Sequence, residues 1–166
     1  MITLKHILVA TDFSEPSDSA LAYGRELARS FGAALTVVHV ADDMMSHAYG
    51  LDGGVMLTDP ETQRQVERDA LAQVNAALCD EDREQLKATG VVLVSTAPAA
   101  AIVNHARESG TDLIVIGTRG RGGIAHLVMG SVAERVVQTA PCPVLTVRHP
   151  EHEFVVADAL VAIAKA

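Results

Sequence analysis

"DLIVIGTRGRGGIAHLVMGS", residues Asp112 to Ser131, is the stretch on which the fold turns. It opens as a short apolar run with the composition of a buried strand. From Gly117 to Ser131 it then holds five glycines in fifteen positions. Glycine gives up the most backbone freedom on folding, so this density is favourable only where the chain turns sharply or approaches something closely. A strand that passes through glycines into a helix is a recurrent way to hold a phosphate, on free backbone N–H groups and the positive end of the helix dipole. The plain alternative is a flexible surface loop.

Reading outward from this stretch, short apolar runs recur at "ILVA" (7–10), "LTVVHV" (35–40), "VVLVS" (91–95), "DLIVIG" (112–117) and "PVLTV" (143–147). Helical segments separate them. Ser14 and Pro16 open the first, with Ala20, Gly24, Leu27, Ala28 and Phe31 at helical spacing, and Gly32 stops it. A long second helix is expected over residues 61–88, a third from Pro98 to Ser109 closed by Gly110, and a fourth over residues 131–140 broken by Pro141. Strict alternation of strand and helix means βαβ crossovers and an α/β, Rossmann-like, doubly wound parallel sheet of five strands. The order 3-2-1-4-5 is expected, within one domain over residues 1–150. Residues 151–166 form a tail suited to a short amphipathic helix. Residues 42–60 make a connection longer than is usual in a compact domain; loops of that length are usually functional or disordered.

At 166 residues the chain can bury a core without metals or disulfides. With 49% hydrophobic residues, 3% aromatics and no Trp, that core must be aliphatic, as in parallel sheets covered by helices. The net charge of -8 argues against nucleic acid as a partner, since that binding draws on basic side chains. It leaves room for a compact phosphate ligand at a local positive site. Cys79 and Cys142 form neither a CxxC pair nor a disulfide framework, no signal peptide precedes the first strand, and no apolar stretch reaches the ~20 residues of a membrane span. A cytoplasmic setting without membrane insertion is expected.

In a doubly wound sheet the ligand lies at the carboxyl ends of the strands where the winding reverses. Here that places "TDFS", with Asp12, opposite "GTRG", with Gly117 and Gly120. A phosphate loop on one side and an acid on the other, accepting from a ribose or base, is the pattern of a nucleotide crevice.

Gly117, two residues, Gly120, nine residues, Gly130 and Ser131 reproduce the G-x2-G-x9-G-[S/T] spacing, and the stretch resembles the nucleotide loop of the universal stress protein family, in its ATP-binding branch. The likeness extends to "HILVATDFSEPSDSAL" (6–21), "LTVVHV" and "APCPVLTVR" (140–148). It implies an ATP-binding α/β fold, usually dimeric, with roles in stress survival and signalling. It also implies that Asp12 is the polar contact near the adenosine and that Val40 is the backbone partner of the adenine edge. By the same likeness Gly117 and Gly120 lie beneath ribose and phosphates, while Gly130, Ser131 and Val132 offer N–H groups, with the Ser131 hydroxyl, to the phosphate chain. Thr96 departs from the family, where a glycine is common.

Each of these residues has a plainer reading. Ser131 and Glu134 match a Ser-x-x-Glu capping box, Asp12 could cap the first helix, and Arg119 and Arg121 could be solvated. The seven histidines show no strong metal spacing, and His149 with His152 reads as solvated tail. Met44, Met45, Tyr49 and Met56 either line a flap over the adenine or pack the loop down. Cys142, between two prolines, reads as structural. The leading function is a nucleotide-dependent regulatory module binding ATP with Mg²⁺ and acting on a protein partner. A slow ATPase or phosphotransferase is the rival, against which stands the lack of a Walker lysine and of paired carboxylates beside the glycines. A homodimer through the last strand would cover an otherwise open sheet edge.

Overall fold

β1 (His6–Thr11), β2 (Ala34–Ala41), β3 (Thr89–Val94), β4 (Leu113–Gly117) and β5 (Val144–Val147) fall where the apolar runs place them. A computed structural model describes residues 1–46, 59–118 and 129–148. The strands are parallel throughout and ordered β3-β2-β1-β4-β5, as expected. The winding reverses between β1 and β4, whose register pairs Ile7 with Leu113 and Ala10 with Ile116.

Helices cover both faces because the strands alternate buried side chains between them. Ile7, Val9, Leu35, Val37 and Val115 pack against α1 (Glu15–Phe31), α2 (Pro60–Ala76) and α3 (Asp80–Leu86). Leu8, Val38, Ile114 and Ile116 pack against α4 (Pro98–Glu108) and α5 (Ser131–Thr139). Among the described residues the buried hydrophobic side chains are Ala, Ile, Leu and Val alone, the aliphatic core expected from composition. α1 lies close to the sheet at Gly24, where a Cβ would run into the Val9 side chain. It stops at Gly32, whose φ of 62° is open to glycine, and Ala33 N–H returns to the Ala28 carbonyl (2.9 Å).

The helix expected over residues 61–88 is in fact two, α2 and α3. Between them Cys79 takes extended backbone (φ -80°, ψ 169°). The cause is Asp82, fully buried, whose carboxylate accepts the Cys79 N–H (3.1 Å) and the Arg25 Nε–H (2.9 Å). The same Arg25 guanidinium donates to the Ala77 carbonyl, one of the acceptors that a continuous helix would have used internally. Burial pushes the Asp82 carboxyl up, but the hydrogen bonds from Arg25 and Cys79 outweigh it and hold the group below the ordinary carboxylate range.

Candidate functional site

The crevice is framed by the turn after β1, the end of β2, the end of β4 and the start of α5. After β1 the chain makes a turn in which Phe13 adopts a φ of 62°, unusual for a bulky side chain. Its ring rests on His39, centroids 4.4 Å apart, and His39 Nδ1 donates to the Thr11 carbonyl (2.9 Å). Ser14, not Asp12, is the cap residue of α1. The half-buried Asp12 braces it, accepting from the Ser14 N–H (3.2 Å) and the Ser14 hydroxyl. Ser17, buried one turn into α1, accepts from the Ser14 N–H (3.0 Å) and donates to the Ser14 carbonyl (2.8 Å). A carboxylate thus sits at the positive end of α1.

Val40 lies just past the end of the β1–β2 pairing, which stops at Thr11 and His39. The next carbonyl, of Ala41, accepts from Ser95 on the β3 side (3.0 Å). Carbonyls alternate sides along a strand, so that of Val40 faces β1, where Phe13 N–H has turned away to Thr11 Oγ1 (3.0 Å). The Val40 side chain packs below, in the α4–α5 layer.

Gly117 ends β4. A Cβ there would lie 2.9 Å from the Pro16 carbonyl carbon and oxygen, so this glycine is required by the approach of α1 to β4. Thr118 follows, its N–H donating to the Val147 carbonyl and its carbonyl accepting the Gly130 N–H, each at 2.7 Å. The Gly130 N–H is therefore committed within the protein, and the amides that follow it, of Ser131 and Val132, have no acceptor inside the helix. Gly120, Arg119 and Arg121 lie outside the described residues, as do Tyr49, Met56, His149, His152 and the tail 151–166.

α5 begins one residue earlier than a capping box needs. Gly130 is the cap, in extended backbone (φ -76°, ψ 155°), and supplies no side chain. Ser131 is the first helical residue, so Glu134 is the fourth. Its N–H closes the first helical bond on Gly130 (2.9 Å), and its carboxylate accepts from Gln138 further along (3.4 Å). The capping-box expectation is thereby corrected: the cap position is Gly130, which has no side chain to offer α5. Ser131 and Val132 donate into space that the helix itself cannot fill. Ser131 is exposed and Val132 half-buried.

Elsewhere, Asp112 accepts the Lys5 and His6 N–H groups (2.7 and 2.9 Å) at the opposite end of the sheet, and these bonds hold its carboxyl below the ordinary range. Cys142 is half-buried against the α4–α5 layer and burial raises its thiol, in keeping with the structural reading. Among the described residues no group of three or more His, Cys, Asp or Glu is placed to hold a metal, and no helix is long and apolar enough to cross a membrane.

Sequence reading put the ends of β1 and β4 side by side, as the sheet order has them, but missed the Ser14–Ser17 bracing and the Phe13–His39 pair. The first had a signal, Ser-x-x-Ser ahead of the α1 periodicity; the second depends on a positive φ that nothing local announces.

Residues 3–148 match the model of the universal stress protein family. The chain belongs to that family. It is 34% identical over 149 residues to the universal stress protein YxiE of Bacillus subtilis, covering 86% of this chain and 97% of that one. Its fold is similar to that of the universal stress protein UspA from Lactobacillus plantarum, with a TM-score of 0.66 at 22% identity over 89% of this chain and all of the other. A universal stress protein from Archaeoglobus fulgidus, solved in complex with dAMP, has a TM-score of 0.56 at 25% identity, covering 89% of this chain and 99% of its own.

Proposed function

We propose that this universal stress protein binds ATP in the crevice between β1 and β4 and acts as a nucleotide-dependent regulatory module in stress response. The start of α5 carries this reading: a side-chain-free cap, the Ser131 and Val132 N–H groups with no acceptor inside the helix, and an exposed serine, at the point where the sheet's winding reverses. A phosphate chain supplies the acceptors that α5 lacks, favoured by the helix dipole. Ser131 and Val132 then bind the phosphates through N–H groups, aided by the Ser131 hydroxyl. Gly130 keeps the approach open, and Gly117 and Gly120 lie beneath ribose and phosphates. Asp12 takes the ribose, and the Val40 backbone takes the adenine edge. The dAMP held by the Archaeoglobus neighbour supports an adenine nucleotide as the ligand class. Mg²⁺ would arrive with the phosphates, screening them from a chain of net charge -8.

The test is titration calorimetry with ATP, together with chromatography of whatever the heat-denatured protein releases. Micromolar or tighter ATP binding is expected; no heat with ATP, ADP or AMP refutes the reading. Turnover belongs to the same test. A regulatory module hydrolyses ATP far more slowly than the ~1 per second of ordinary enzymes, and sustained hydrolysis at that rate overturns the regulatory assignment.

A cytoplasmic homodimer completes the proposal. β5 pairs with β4 on one side, its Val144, Leu145 and Thr146 are half-buried, and Val137 of α5 is 46% exposed. A second β5 across a two-fold axis would pair the edge that no other described strand covers. Analytical ultracentrifugation at micromolar concentration should give twice the chain mass; a monomer refutes it.

A further inference from the structure

We propose that Thr118 is a further ligand-binding residue of this crevice, its hydroxyl donating a hydrogen bond to a phosphate oxygen held at the start of α5. The inference rests on the nucleotide reading above and deepens it. Thr118 is 7% exposed, and among the described residues its Oγ1 is the one buried side-chain oxygen or nitrogen without a hydrogen-bond partner. Native structures as a rule satisfy such groups, because the hydroxyl has given up its water for nothing in return. The rest of the residue is saturated, since its N–H and carbonyl are both engaged at 2.7 Å. The side chain is thus carried on a fixed backbone.

Its direction follows from the pleat, in which successive side chains point to opposite faces. Ile114 and Ile116 belong to the α4–α5 layer and Val115 to the α1 layer. A Cβ on Gly117 would meet Pro16 of α1. Thr118, next in line, faces the α5 side. There its own carbonyl holds the Gly130 N–H, which places it one hydrogen bond away from the cap that precedes Ser131 and Val132. The side chains that α5 buries in that layer, Ala133 and Val136, carry no acceptor. A phosphate has acceptor oxygens to spare once two amides are used, and a threonine hydroxyl is the donor that adds to them.

Calorimetry with ATP and with adenosine, on the full chain and on Thr118→Val and Thr118→Ser, tests this. Valine keeps the shape and removes the donor. ATP affinity of Thr118→Val should fall about tenfold, the loss of one hydrogen bond to a charged group, with adenosine affinity and the melting temperature held or the latter raised. Thr118→Ser, which keeps the hydroxyl, should bind ATP within about twofold of the parent. Unchanged ATP affinity in Thr118→Val overturns the proposal and leaves the hydroxyl a plain cost of the fold. Equal losses for ATP and adenosine, or a serine variant as weak as the valine one, also overturn it, because shape and not the donor would then be responsible. A parent protein that binds neither ligand refutes the nucleotide reading itself, and this inference with it.

Discussion

α1 and α5 leave the sheet from neighbouring strands at the same crevice, and each begins with backbone N–H groups that have no acceptor inside the helix. They resolve this in opposite ways. α1 is closed from within: Ser17 holds Ser14, and the Asp12 carboxylate lies at the positive end. α5 is opened by Gly130, which has no side chain to fold back. α2 and α3 follow the α1 pattern, with Asp59 accepting from Glu61 N–H (3.2 Å) and Asp82 from Cys79. α4 also lacks a side-chain cap, yet it starts with Pro98, which has no N–H, and follows β3 at the sheet edge away from the crevice. The lesson is one of allocation: α1, α2 and α3 close their first turns with side chains of their own, whereas the cap of α5 offers none, which is the opening that the proposed phosphate site uses.

The severest test of that division is Asp82→Ala. It strips the Arg25 guanidinium and the Cys79 N–H of their acceptor, and about 3–5 kcal/mol of stability should go, read by urea unfolding, while ATP affinity stays put. Acid gives the same answer by another route. The Asp82 and Asp112 carboxyls are both held below their unfolded values, so their stabilisation is complete above the unfolded carboxyl pKa and drains away as pH falls through the lower folded one. The parent should soften below a pH of about 4, and the Asp82→Ala protein should lose less over that window.

Gly130→Val reverses the pattern. Its backbone angles suit any residue, so unfolding should shift by less than about 0.5 kcal/mol, whereas the added side chain blocks the phosphates and should weaken ATP by about 100-fold or more, some 2.7 kcal/mol. Unchanged calorimetry would sink the site.

Ser17→Ala removes an internal closure and should cost about 1 kcal/mol of stability without touching ATP binding. Ser131→Ala is the smallest expected effect: a loss of about two- to tenfold in ATP affinity at unchanged stability. If these two serines exchanged their phenotypes, the contrast between the helix starts would be wrong.

Much of this was legible in the chain. Periodicity located all five strands because each is a short, mainly aliphatic run between punctuating residues, and alternation with helices then left one plausible winding. The break between α2 and α3 was not, although "CDEDREQL" holds a cluster of acids typical of a first turn. Its cause is a tertiary partner, Arg25, 57 positions from Asp82, which no local window contains. The site was legible as a place more than as a set of roles. Gly117 and Gly130 were marked by spacing, but that Gly117 is demanded by Pro16, and that Gly130 spends its own N–H on Thr118, appears only once α1 and α5 are packed.

α1 is gripped along its length: by Gly117 beneath Pro16, by Val9 beneath Gly24, and by Asp82 at Arg25. From Pro16 to Arg25 is nine residues, about 14 Å of helix. Mechanically it is a strut with a bearing at each station and no slack in its first half. A push at Gly117, where one added methyl would strike Pro16, is expected to pass down the strut to the Arg25 joint and load the elbow between α2 and α3. The loop rim and that distant elbow are therefore in series, and a methyl group at Gly117 should be read out as altered amide exchange at Cys79.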